Sequence, residues 1–282
     1  MYGRRPTIST LHGMVAAAHP LAAQAGARLL SSGGNAFDAA AATAAALNVV
    51  EPYMSSLGGM GLATCYIAAE KRARTLDFVT RVPSKFPVEK LKKREELNRG
   101  PVAVGTPGNL MGWGELVKSH GKRPWKEALE PAIRLARDGY PLVEFNVAEI
   151  NESVVELKKY PSLYANWAPI FLGSKAWVRQ GDVLKQPDLA KTFEALAANG
   201  TDHLYKGPIG RTIVEHLAKI GGTLTLGDLE TAKPEWRDPI KVAYRGREVH
   251  TLSPPCEGFQ CLLTLRILDG FDLSGLERNG TE

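Results

Sequence analysis

The stretch GGNAFDAAAATAAALNVVEPYMSSLGGMG, residues 33–61, decides the fold. Two glycines open it, an alanine-rich helix follows, Glu51-Pro52 breaks that helix, and a second glycine cluster closes the segment. Between Ala36 and Asn48 nothing is bulkier than Phe37 and Leu47. So thin a side-chain shell lets neighbouring backbones come close, which places the helix in a crowded interior. Asn35 is suited to cap its N-terminus, and Asp38 falls in the first turn, at the positive end of the helix dipole.

Working outward, residues 19–48 read as an αα-hairpin. Pro20 suits a first helical position, Ala22 to Leu30 carry an apolar face, and Gly33-Gly34 end the helix. Past Gly61 the pattern alternates, so Leu62–Ala69 and Thr75–Val82 read as two strands joined by the charged turn Glu70-Lys71-Arg72. Helices are expected over Leu110–His120, Trp125–Asp138, Pro187–Asn199, Pro208–Ile220 and Gly258–Leu268, and strands over Ile240–Tyr244 and Glu248–Leu252. Residues 139–181 read as an irregular, aromatic segment. No repeat or low-complexity linker divides the chain, so 1–282 is expected to be a single domain of α+β or layered α/β type.

The 282 residues, 44% hydrophobic and 23% charged, suit a globular chain able to bury a sizeable core. A net charge of +5 is mild. The densest basic run, Lys85–Arg99, interleaves acids with its bases and reads as a solvated face, so no nucleic-acid partner is expected. Cys65, Cys256 and Cys261 form no CxxC pair and read as free thiols of a reduced compartment. No apolar run is long enough for a membrane span, and MYGRRPTIST lacks an apolar leader core. A cytoplasmic location is the expectation.

The residues that carry chemistry are few. A phosphate loop needs a strand before it and a helix after it, whereas Gly58-Gly59-Met60-Gly61 has the reverse order and reads as a tight turn. Ser55-Ser56 has no GxSxG elbow around it. The histidines show no HExxH and no ligand spacing with cysteine, so neither a metal nor a cofactor is expected. His19 reads as a capping or packing residue. Cys256 is the one cysteine expected to be exposed in a turn, and it has no visible partner base. Arg81 lies at the end of the strand LDFVTRVP, just before Pro83, where side chains begin to line a cleft. An arginine there can hold a carboxylate through two parallel hydrogen bonds, and the alternative is a surface ion pair with Asp77. From these residues alone no catalytic set is complete.

Several long motifs, however, resemble the γ-glutamyltranspeptidase family. They are GMVAAAHPLAAQAGARLLSSGGNAFDAAAATAAALNVVEPYMSSLGGMG, TLDFVTRVP, VAVGTPGNLMGWGELVKSHGKRPWKEALEPAIRLARDGYPL, NGTDHLYKGPIGRTIVEHLAKIGGTLTLGDLE and YRGREVHTLSPPCEGFQCLLTLRILDGFDL, in the family's order over nearly the whole chain. The resemblance implies an N-terminal-nucleophile hydrolase fold, an αββα sandwich of which this chain is the large-subunit part. It implies a precursor that cuts itself in two. The new N-terminal threonine of the small subunit would then be nucleophile, with its own α-amine as base, and a small-subunit oxyanion hole would stabilise the tetrahedral intermediate. The partner would be that threonine-bearing small subunit and the substrate a small γ-glutamyl amide, with water or an amino acid as acyl acceptor; a higher oligomer is compatible.

Two departures from the family's pattern shape the expectation. No threonine here stands in the family's Thr-Thr-His context; Thr106, Thr201, Thr223 and Thr281 merely follow Gly or Asn-Gly. The chain is therefore expected to hold no catalytic residue and to be inactive by itself. The arginine that grips the glutamyl α-carboxylate in the family directly follows LDF, where this chain has Val79; arginine comes two residues later, as Arg81, about 6–7 Å further along an extended strand. Arg81 is the substitute substrate ligand. A relative that hydrolyses another carboxylate-bearing amide, oxamate-like or with an acyl side chain, is the alternative activity, and a non-catalytic binding protein of the same fold is the contrasting one.

Overall fold

A computed structural model of the chain describes residues 7–90, 93–277 and 280. Met1–Pro6 of the N-terminal segment, Leu91 and Lys92 of the basic run, and Thr281 lie outside the described residues. In chain order the elements are α1 (Pro20–Ser31), α2 (Ala36–Val50), β1 (Gly61–Ile67), β2 (Arg72–Phe78), α3 (Asn109–His120), α4 (Trp125–Asp138), β3 (Tyr140–Pro141), α5 (Glu144–Leu157), α6 (Pro161–Phe171), β4 (Val183–Leu184), α7 (Pro187–Asn199), α8 (Asp202–Tyr205), α9 (Pro208–Lys219), α10 (Leu226–Thr231), β5 (Glu235–Arg237), β6 (Ile240–Tyr244), β7 (Arg247–Thr251) and α11 (Gly258–Leu268). The expected α+β class is what the chain adopts.

The alanine-rich helix is the axis of the core. α2 packs on α1 and on α4, and α4 packs in turn on α7. Ala41, Ala42, Ala45, Ala46, Val49 and Val50 are wholly buried. α1 comes so close that a Cβ added at Gly26 would collide with the Thr43 side chain and lie 2.9 Å from the Ala39 carbonyl oxygen. Backbone proximity, read from the small side chains, is thus literal here.

Both ends of α2 are tied down by side chains, as a buried helix requires for its unpaired backbone groups. At the N-terminus, Asn35 Oδ1 accepts from the amides of Phe37 (3.0 Å) and Asp38 (3.2 Å), and Asp38 Oδ2 accepts from the Asn35 amide (2.8 Å). The same buried carboxylate accepts from the amides of Lys122 (3.0 Å) and Arg123 (3.2 Å), fixing the turn between α3 and α4. At the C-terminus, Tyr140 Oη and Gln186 Nε2 both donate to the Val49 carbonyl, at 3.1 and 2.8 Å, and Asn146 Nδ2 donates to that of Val50 at 2.9 Å.

The main sheet is antiparallel, in the order β1-β2-β5, so β2 is its central strand. Thr75, Leu76, Asp77 and Phe78 of β2 are buried. The Phe78 ring is enclosed by two glycines: a Cβ added at Gly61 or at Gly112 would run into it. Gly112→Ala therefore overpacks a full site, at a cost of about 3 kcal/mol, offset by about 1 kcal/mol of helix propensity. The expected net loss is about 2 kcal/mol, visible as a lower urea midpoint with an unchanged slope. An unchanged midpoint would show that the ring moves freely aside.

Two readings of the sequence need correction. The strand expected at Thr75–Val82 runs instead over Arg72–Phe78. The turn before it covers residues 68–71 rather than Glu70-Lys71-Arg72, with Lys71 taking a left-handed φ of 52° and Arg72 already in the strand. Residues 139–181 are not irregular, because α5 and α6 occupy most of them. Their signal was the spacing of Tyr164, Trp167 and Phe171, which align along one helix face with ring centroids 6.4 and 5.0 Å apart. Pro161 and Pro169 obscured it. The basic run from Lys85 to Arg99 forms short 3₁₀ turns over Val88–Lys90 and Arg94–Leu97.

Candidate functional site at the end of the central strand

Past Phe78 the chain leaves β2 and crosses beside the 105–106 loop, where Arg81 and Thr106 form an isolated antiparallel bridge and the Thr106 amide donates to the Arg81 carbonyl at 2.9 Å. Val79 and Arg81 thus lie beyond the strand that was expected to carry them both. The Val79 amide donates to Asp77 Oδ1 at 3.0 Å, which locks that carboxylate in place.

Asp77 is the buried centre of a charge cluster. Register pairs it with Glu235 on β5, and Arg237 lies opposite Thr75. Asp77 Oδ2 is 3.2 Å from Arg237 Nη2 and 3.5 Å from Arg81 Nη2. Neither contact has hydrogen-bond alignment, so this oxygen is held by charge rather than by a directed bond. Glu235 bridges the same two arginines, with Oε2 at 2.7 Å from Arg237 Nη2 and Oε1 at 3.9 Å from Arg81 Nη2. Hydrogen bonding from Arg237, aided by the charges of Arg237 and Arg81, holds the Glu235 carboxyl below its usual range. The same bond raises Arg237.

The Arg81 side chain is 42% exposed and lines a cavity of about 210 Å³ together with Thr106, Asp228, Lys233 and Glu235. Thr106 is buried and its hydroxyl has no hydrogen-bond partner. Asp228 is already engaged, accepting from the amides of Ser84 and Thr225, each at 2.9 Å. A small cavity with a half-exposed guanidinium and an ammonium among its lining groups has the donors to hold the carboxylate of a small molecule.

The remaining expectations fall elsewhere. Gly59 offers its carbonyl to the amides of Gly108 and Asn109, at 2.8 and 3.0 Å, so the glycine cluster receives the start of α3 and is a turn. Ser55 Oγ accepts from Asn48 Nδ2, and the Ser56 carbonyl accepts from Asn109 Nδ2. His19 caps α1, its Nδ1 accepting from the Leu21 amide at 3.2 Å, and burial lowers its pKa. Cys256 is only partly exposed; the exposed cysteine is Cys261. The Cys256 sulfur accepts from the Gly258 amide at 3.3 Å as the chain turns into α11. Burial raises the Cys65 thiol. Among the described residues no group of three or more His, Cys, Asp or Glu is placed to hold a metal, and no helix is long and apolar enough to cross a membrane.

Glu235, Arg237 and Thr106 were not identified from the sequence. The alternating charges of Glu235 and Arg237 in KPEWRDP do put both on one strand face, but nothing local says that this face meets Asp77.

The fold aligns with the crystal structure of Helicobacter pylori gamma-glutamyltranspeptidase at a TM-score of 0.90 and 31% identity, over 98% of this chain and 80% of that one. The architecture is accordingly that of an N-terminal-nucleophile hydrolase large subunit. Residues 22–282 match the gamma-glutamyltranspeptidase family. In sequence the chain is 38% identical to a glutathione hydrolase proenzyme of Bacillus subtilis (strain 168) over 271 residues, 93% of this chain and 45% of that protein. It is 36% identical to the acylase ACY 1 proenzyme of Pseudomonas sp. (strain SE83) over 283 residues, 96% of this chain and 50% of that protein. The chain belongs to the γ-glutamyltranspeptidase family, and it spans about half the length of the curated relatives it matches.

Proposed function

We propose that this chain is the large-subunit part of a γ-glutamyltranspeptidase-like amidohydrolase or acyltransferase. It would act with a threonine-bearing small subunit from the same precursor. The observation that carries the reading is Arg81, a half-exposed guanidinium lining a small cavity at the end of the central strand. In this role Arg81 binds the acyl carboxylate and orients the amide. The threonine hydroxyl attacks the amide carbonyl and its α-amine takes the proton; that proton passes to the amide nitrogen as the C–N bond breaks and the amine leaves, and the acyl-enzyme then passes its acyl group to water or an amino acid, freeing the threonine. Family membership and the proenzyme relatives, about twice this chain's length, support the two-chain arrangement.

A second reading has its own support. Val79 stands where the resemblance puts the family's carboxylate-gripping arginine, and an acylase is among the relatives. The acyl group would then be a carboxylate-bearing one other than γ-glutamyl. Turnover of γ-glutamyl-p-nitroanilide against glutaryl-p-nitroanilide by the complete gene product separates the two. Preference for the first supports a γ-glutamyl enzyme, preference for the second an acylase. Hydrolysis of neither would favour a binding protein that kept the fold.

A further inference from the structure

We infer that Glu235 is a specificity-determining residue: an internal carboxylate that competes with the substrate's acyl carboxylate for Arg81. The inference rests on the proposed role of the Arg81 cavity and says how selective that cavity is.

Charge around Arg81 is balanced. Arg81, Arg237 and Lys233 face Asp77, Glu235 and Asp228 across the cavity and the strand pair behind it. The cluster is neutral before any ligand arrives. An incoming carboxylate therefore meets no net positive potential, only the part of Arg81 that its own partners leave free. Asp77 cannot withdraw, since it is buried in the central strand and pinned by the Val79 amide. Glu235 can, being 39% exposed.

The two arginines grip Glu235 unequally. Its Oε2 lies 2.7 Å from Arg237, whereas its Oε1 lies 3.9 Å from Arg81. Rotating the carboxylate away from Arg81 gives up only the longer contact and keeps the shorter one. Arg237 is thus a tether that holds the competing carboxylate beside Arg81 while letting it yield. A carboxylate can take the place of Glu235 beside Arg81; an uncharged acyl group gains nothing from the displacement. The cavity accordingly holds an acyl carboxylate less tightly than an uncontested Arg81 would.

The test uses the complete purified protein and glutarate as a dicarboxylate probe, with affinity measured by calorimetry. Glu235→Gln preserves shape and removes the charge. Because the contact is partly exposed, glutarate is expected to bind roughly three- to tenfold more tightly, and the gain should shrink at high salt. In an Arg81→Ala background the same substitution should change nothing, since the competed-for group is gone. The KM for a γ-glutamyl anilide should fall by the same factor, while that for an uncharged acetyl anilide should not follow. Unchanged, weaker or undetectable glutarate binding by Glu235→Gln would overturn the inference, as would an equal gain in the Arg81→Ala background. If glutarate tightens as expected and no amide is hydrolysed by either protein, the competition stands and the amidohydrolase reading fails.

Discussion

Asp38→Ala is expected to lower the unfolding free energy by about 3–4 kcal/mol, through the loss of a cap and of charge-assisted hydrogen bonds. The wholly buried carboxylate serves backbone amides from two parts of the chain: Asn35 at the head of α2, and Lys122 and Arg123 in the turn that enters α4. Removing it leaves those donors without partners and unties the α2 N-terminus from that turn at once. Asp38→Asn should cost nearly as much, because its amide sets an N–H against N–H donors. Urea unfolding followed by circular dichroism measures the effect. A loss below about 1 kcal/mol, the size of an isolated cap, would mean that the turn at 122–123 holds without it.

Arg81→Ala is the second large effect, and it falls on activity. A charge-assisted hydrogen bond contributes about 1.5–3 kcal/mol. Removing the guanidinium should therefore raise KM for a carboxylate-bearing amide by roughly 10- to 100-fold. Binding that is equal in ground and transition states appears in KM, so most of the loss should be found there. Arg81→Lys should recover only part of it, since an ammonium cannot make the paired contact. An unchanged KM for Arg81→Ala would take Arg81 out of the site and leave it as the ion-pair partner of Asp77.

The helical frame was legible because its signals are local. Small side chains with Asn35 and Asp38 define α2, Pro20 opens α1, and Gly33-Gly34 close it; the bounds of α4, α7 and α11 could be read directly from periodicity and end residues. The failures have physical causes. α5 keeps few buried positions, Asn146, Ile150 and Val154, and one of them is an asparagine recruited to the end of α2. α6 buries nothing fully, so its aromatic face was mistaken for irregular chain. At the site, Arg81 was visible as an arginine at the end of an expected strand, although β2 stops at Phe78. Its neighbours were not, because β5 is three residues long and meets β2 across 162 positions of sequence. Pairing at that distance leaves no periodic trace. The buried role of Asp77, the tether of Arg237 and the competing Glu235 all follow from that one pairing.

The central claim, that this chain is half of a self-processing amidohydrolase, is tested most directly by the intact mass of the complete gene product after purification. Two chains are expected, the shorter beginning with threonine. Replacing that threonine by alanine should leave one uncut chain that hydrolyses no γ-glutamyl or glutaryl anilide. A single uncut wild-type chain that turns over either substrate would contradict it.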